Sequence, residues 1–273
     1  MIGMGTTIFL VNPQTFGGGG GSYLVDTYSP VIAFSVRKIS STATNCLRVR
    51  RDSDNAEQDI GFSGNDLDTS SLSTFVGANS AYVTKWYNQG TGGATYDVSQ
   101  TSASDQPRIV NAGTIETENS KTAIAPLGSA DSLDVVISDA GTYVSTFAIT
   151  NITNTNARVW TTDGASSGLR NTAGNNVTAR ASSDVTIVGT GTAQGQTIYS
   201  TFGTSSCSTY YNGNTGGTGN IGSNYIGTLL TIGGDNGTTG MTGTLQEIII
   251  FTTDESSNRT DIESDINTYY SIY

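Results

Sequence analysis

The chain carries twenty-three aspartates and glutamates, twelve lysines and arginines, and no histidine. Without an imidazole, Ser-His-Asp and Cys-His nucleophile systems and every histidine-ligated metal site are ruled out together. The remaining residue types still allow a pair of carboxylates, one protonated acid and one nucleophile or base at a fixed separation, as in most glycoside hydrolysis. Among so many acids some pair will lie close by chance. Glu247 stands out because it interrupts the apolar run Leu245-Gln246-Glu247-Ile248-Ile249-Ile250-Phe251. That run reads as a strand, on which Glu247 either faces a groove or serves the structure. No catalytic residue and no resident metal is assigned.

A second set of residues could hold a sugar without turning it over. Carbohydrates are gripped by aromatic faces and by planar amides and carboxylates. The candidate glycan contacts are Trp86, Tyr87, Asn88 and Gln89, which are consecutive, and Asp235 and Asn236 in the loop at 233–237. Trp160, Tyr210 and Tyr211 supply further rings. The 233–237 loop also has oxygen donors suited to Ca²⁺, although Asp-Asn-Gly is first of all a turn. Gly216-Gly217-Thr218-Gly219 lacks the lysine and the strand–helix setting of a phosphate loop, so it reads as a hairpin connection.

Strands must position these groups. Thirty-four glycines, four prolines and only 13% charged residues do not suit a helical protein. The many threonines fit solvent-facing strand positions, and 273 residues suffice for one core between two sheets. Leu47 and Val49 alternate with Arg48 and Arg50, the period of a half-buried strand. Further strands are expected at 81–87, 133–137 and 143–149, and short ones between turns at 171–195. Asp68 or Thr69 can cap a short helix carrying Leu72, Phe75 and Val76. A second helix is expected over 259–270, with Ile262, Ile266 and Tyr269/Tyr270 on one stripe, covering an end of the sandwich.

A net charge of −11 argues against nucleic acid or an anionic membrane as partner. Five of the twelve basic residues lie between Arg37 and Arg51. They form either a phosphate-binding patch or, more simply, salt bridges with Asp52, Asp54, Glu57 and Asp59. Cys46 and Cys207 read as free thiols. Met1-Ile2-Gly3-Met4-Gly5 lacks the positive start of a signal peptide, and Ile8-Phe9-Leu10-Val11 is too short to span a membrane. Synthesis in a cytoplasm and no membrane insertion are therefore expected. That apolar strip, with Phe16, is followed by five glycines at 17–21, a run that holds no fixed shape alone. It is either an arm that docks on another chain, for example by adding a strand to a sheet edge, or the first strand of the sandwich. Residues 1–23 are taken as docking arm and tether, and 24–273 as the folded domain.

Several blocks resemble a known family. Ser208-Thr209-Tyr210-Tyr211-Asn212-Gly213, Leu230-Thr231-Ile232-Gly233-Gly234, the run at 245–251 and the 259–270 segment resemble, in this order, the C-terminal half of concanavalin A-like (laminin-G-like) jelly-roll domains. Leu24-Val25-Asp26-Thr27-Tyr28 and the blocks at 33–40, 47–62, 82–89 and 106–110 resemble a domain of bacteriophage structural proteins. The same series is similar to the arabinofuranosidase B-type catalytic domain. The resemblance, covering roughly residues 24–273, implies an all-β, concanavalin A-like two-sheet antiparallel jelly-roll sandwich with a short C-terminal helix. It implies glycans as partners but no reaction, because one sandwich serves lectins, glycosidases and virus surface proteins. Arabinofuranosidase-type members usually carry Asp-Gln-Ser-Gly after the Trp-Tyr pair. Here Asn88-Gln89-Gly90 follows, and an amide cannot act as acid or nucleophile. The expectation is a non-enzymatic phage virion protein, of capsid-decoration, head-fibre or tail-fibre adhesin type. It would be homo-oligomeric, attached to other virion proteins through its arm, and able to hold host cell-surface glycans by avidity. The alternatives are a glycoside hydrolase of the arabinofuranosidase type and a prophage-derived lectin.

Overall fold

The computed structural model describes residues 23–125, 128, 130–137, 144–162, 167–172, 177–180, 183–188, 195–203, 205–222, 228–234 and 240–273. Ile8, Phe9, Leu10, Val11 and Phe16 of the expected arm lie outside the described residues, as do Asp235 and Asn236.

Two antiparallel sheets pack face to face. The six-stranded sheet runs from β1 (Ile32–Ser35) through Gly243–Phe251, Ser145–Ile152, Thr197–Phe202 and Cys207–Tyr211 to Asn214–Gly219. The thirteen-stranded sheet has β2 (Asn45–Arg51) and its hairpin partner β3 (Glu57–Ser63) toward one edge and Asp184–Val188 at the other. Register explains why the sequence splits cleanly into two faces. Directly paired residues share a face, and one row crosses the large sheet as Leu133, Ile232, Trp160, Leu169, Ala179 and Val185, all buried. The opposite face carries Asp59, Arg48, Lys85, Ser99, Asp134, Thr231, Thr161, Gly168, Arg180 and Asp184 across ten strands. The first row faces the other sheet. The second faces outward, although its middle is buried at Thr231 and at Thr161, whose hydroxyl donates to Gly234 O.

The six-stranded sheet is covered on both faces, which is why its strands read as continuous apolar runs rather than alternating ones. From Gly243–Phe251, Ile248 and Ile250 enter the inter-sheet core, while Ile249 and Phe251 pack under two helices with Phe147, Ile149 and Phe202. Those helices are α1 (Leu24–Tyr28) and, at the far end of the chain, Arg259–Tyr270. The helix Thr69–Val76 is α2, capped by Asp68, whose Oδ1 accepts from Ser71 N–H at 3.0 Å. The C-terminal helix, α3, lies on the sheet's outer face and not over an end of the sandwich. It is Tyr270 that joins Ile262 and Ile266 in the core, while Tyr269 stays half-buried with the Lys121 ammonium 4.0 Å above its ring. No described helix is long and apolar enough to cross a membrane.

At one end the two sheets touch. Gly216-Gly217-Thr218-Gly219 is not a hairpin connection but part of the edge strand Asn214–Gly219. Its glycines let the backbone press against the opposite edge: a Cβ on Gly217 would lie 2.3 Å from Thr186 O, and one on Gly216 2.6 Å from Ile187 O. Gly217→Val should therefore cost at least about 2 kcal/mol, because the obstacle is backbone and cannot turn aside. Thr218→Ala, at the exposed neighbour, should change stability by less than about 0.5 kcal/mol. Urea denaturation of both variants checks the contrast.

Candidate functional site

The aromatic and amide residues at 86–89 occupy four different environments. Trp86 ends the strand Ala81–Trp86, opposite Leu47 and Val98, with no exposed surface and its ring 5.6 Å from Phe34. It is a core residue and cannot offer a face to a sugar, and Trp160 is equally buried. Tyr87 points the other way and is half-buried. Its hydroxyl donates to Asp59 Oδ1 at 2.7 Å, and burial together with that carboxylate pushes its pKa up to about 12.

Asn88 and Gln89 belong to a strap, residues 88–92, that closes the free edge of β1. Asn88 Oδ1 accepts from Ala33 N–H at 2.7 Å, and its Nδ2 donates to Val31 O and Gly93 O. Gln89 Nε2 donates to Ser35 O and Arg37 O, and its Oε1 accepts from Ile39 N–H at 2.8 Å. Backbone bonds from Gln89 N–H to Ala33 O and from Gly92 N–H to Val31 O complete the strap. Every polar atom of both amide groups is thus spent on backbone. Neither residue is free to hold a glycan.

Glu247 is likewise structural. It is fully buried and accepts from Arg37 Nε at 2.8 Å, Arg37 Nη2 at 3.1 Å, Ser35 Oγ at 2.6 Å and Tyr270 Oη at 3.2 Å. Arg37 Nη2 also donates to Asp265 Oδ2 of α3 at 2.6 Å. The guanidinium pKa lies well above its usual value: although burial opposes the charge, the Glu247 and Asp265 carboxylates more than offset it. A cleft of about 140 Å³ opens beside this network, lined by residues including Tyr23, Lys38, Asn65, Lys121 and Tyr269.

The basic cluster between Arg37 and Arg51 separates accordingly. Arg48 pairs with Glu57 at 2.7 Å and Asp59 at 3.6 Å, and Arg51 with Asp54 at 2.6 Å, as expected for local salt bridges. Arg37 instead binds distant acids. Among the described residues Arg50 pairs with no carboxylate; on a strand expected to turn its arginines to solvent, it is only 9% exposed. Its Nε donates to Gln106 Oε1 at 2.7 Å, Nη1 to Asn55 Oδ1 at 3.0 Å and Nη2 to Ala103 O at 3.3 Å, with the Tyr82 ring centred 5.2 Å away. Cys46 and Cys207 are free and buried. The described residues contain no cluster of three or more acidic or cysteine side chains able to hold a metal.

Arg50 lies at the floor of a groove of about 280 Å³ on the outer face of the large sheet. Arg48, Arg50, Thr84 and Lys85 form the sheet side, and Gln100, Thr101, Ala103 and Gln106 form a wall from the following loop. Internal bonds hold that wall in place: Gln100 N–H donates to Thr84 O, Gln106 Nε2 to Gln100 O, and Ser102 N–H to Gln100 Oε1. The Tyr87 ring lies beside the groove, under the Lys85 ammonium at 5.3 Å. Of the expected glycan contacts among the described residues, Tyr87 alone adjoins this groove. The groove's own residues carry no sequence motif, since a loop some fifty positions after β2 completes it.

No family model and no curated protein matches the chain. Among solved structures, it is similar to a GH54 α-L-arabinofuranosidase soaked with a cyclic sulfate inhibitor, with a TM-score of 0.59 and 13% identity over 86% of this chain and 62% of that one. An arabinofuranosidase complexed with arabinofuranosyl-α-1,2-xylobiose gives a TM-score of 0.57 and 14% identity over the same shares. The chain therefore spans 62% of the length of these enzymes. At this identity the likeness is one of fold: the chain is an all-β sandwich of antiparallel sheets with a short C-terminal helix.

Asn88→Asp would place a carboxylate where arabinofuranosidase-type sequences usually carry one. Here it removes the two donors to Val31 O and Gly93 O and sets a negative charge near Asp97, whose Oδ1 accepts from Asn88 N–H. The variant should lose about 2 kcal/mol of stability and gain no hydrolysis of aryl arabinofuranosides. Thermal unfolding and a chromogenic assay on one preparation read both outcomes.

Proposed function

We propose that the chain is a non-catalytic glycan-binding sandwich displayed on a phage virion, with the groove beside Arg50 as its contact surface. The observation that carries this reading is the groove's lining. It offers planar guanidinium and amide groups, a threonine hydroxyl and an adjacent tyrosine ring, the groups that grip sugar hydroxyls and ring faces. Hydrolysis needs two carboxylates flanking the scissile bond, and this groove is lined by one, Glu57, already bonded to Arg48. Such a site binds by a few hydrogen bonds and one stacking contact. A single copy is expected to have a Kd of about 10⁻³ to 10⁻⁴ M, raised by orders of magnitude on multivalent display. The virion setting rests on the resemblance of the blocks at 24–110 to phage structural proteins and on the apolar strip and five glycines at the N-terminus. Capsid and tail positions fit this reading equally.

A panel of plant and bacterial-surface polysaccharides, tested by affinity electrophoresis, should show weak retardation that Gln106→Ala or Lys85→Ala abolishes. Release of reducing sugar by the wild-type chain, lost in a single-carboxylate variant such as Glu57→Gln, would overturn the non-catalytic reading.

Deleting residues 1–22 should leave a folded, soluble sandwich that no longer enters particles. Normal copy number of the truncated protein in purified virions would refute the arm as anchor. Failure of the truncated chain to fold would instead make residues 8–11 a core strand.

A further inference from the structure

We infer that the groove selects glycans bearing a carboxylate, with the guanidinium of Arg50 as the group that receives it. This deepens the glycan-binding reading and rests on it. A cation nine-tenths removed from water is expensive unless a counter-charge answers it. Among the described residues Arg50 donates to neutral oxygens alone, those of Gln106, Asn55 and Ala103. Glu57, its direct partner across the hairpin, turns away to Arg48. The groove thus gathers Arg48, Arg50 and Lys85 against the single carboxylate Glu57, in a chain whose net charge is −11. Three of the twelve basic residues converge on one groove of about 280 Å³. Arg48 and Lys85 also pair with Asp59 and Asp97, at 3.6 Å each, so the cation without a carboxylate is the buried one. A planar guanidinium fixed at Nε by Gln106, at Nη1 by Asn55 and at Nη2 by Ala103 keeps a second N–H on each Nη, an edge preorganised to receive a planar carboxylate. The Tyr82 and Tyr87 rings lie on the same side of the sheet for the sugar ring to rest against. Neutral sugars use the same hydroxyl contacts but leave Arg50 unanswered.

The test is calorimetric titration of the full chain with oligogalacturonides and with the same oligomers after carboxyl reduction, at 150 mM salt. The expected result is binding of the acidic form at least about tenfold tighter than of the reduced form, the size of one charge-assisted contact. That preference should vanish in Arg50→Gln. Because the Arg50 variant can lose stability, Lys85→Gln serves as a second probe: its side chain is 36% exposed, so it should fold normally and weaken the acidic ligand more than the reduced one. Equal affinity for both forms overturns the charge selection and leaves glycan binding standing. Acidic-form binding unaffected by either variant overturns the placement at Arg50. No binding of either form, nor of sialylated or glucuronylated oligosaccharides, overturns the glycan-binding reading together with the inference.

Discussion

Glu247 is a fully buried carboxylate in the middle of the strand Gly243–Phe251, and the fold is arranged around answering its charge. Breaking a buried ion pair by removing one partner costs about 3–5 kcal/mol, a large share of the stability of a single domain. Arg37 answers with both Nε and Nη2, a planar fork that a lysine could not supply. The same guanidinium reaches Asp265, and Tyr270 reaches Glu247, so α3 is located by polar contacts before its apolar stripe is counted. Once α3 is seated, Ile262 and Ile266 cover Ile249, Phe251 and Phe147, which would otherwise face water. One charge on one strand thereby fixes where β1 ends, where the helix lies and which face of the small sheet is closed. It also leaves Glu247 with no exposed surface.

The groove stands apart from this network, on the far sheet, and follows a different logic. Its floor is strand and its wall is a loop already bonded to itself, so a ligand would order little on arrival and lose little affinity to that cost. The price of such readiness is Arg50, a buried cation held by neutral oxygens only. Buried polar groups of this kind are stabilised by what they are bonded to.

Much of the fold is legible in local sequence. The run at 245–251, the helix at 259–270 and the capped helix after Asp68 all show their period or cap within a few residues. The site was less legible, because its determinants are distant partners. Trp86 and Tyr87 are neighbours with opposite fates, decided by strand register and by a bulge between Arg48 and Val49 that no local pattern marks. Asn88 and Gln89 resemble surface amides until the edge of β1, more than fifty positions earlier, comes alongside. The glycines at 216–219 read as a connection because the backbone that demands them, Thr186 and Ile187, lies in the other sheet. Arg50 alternates correctly for a solvent-facing position and is buried because the 100–106 loop, Asn55 and the Tyr82 ring close around it.

The strap at 88–92 gives β1 hydrogen bonds along both of its sides, to Gly243–Phe251 on one and to the strap on the other. The described chain runs through α1 and then β1, so this strand is where a mechanical load applied ahead of residue 23 arrives. A pull along the axis of β1 must shear two rows of bonds at once, loaded in parallel, instead of peeling one row open bond by bond. A strand held in this way acts as a bolt, and α1 ahead of it is itself tied in, by the buried Leu24 and Val25 and by the bond from Val25 N–H to Ile39 O.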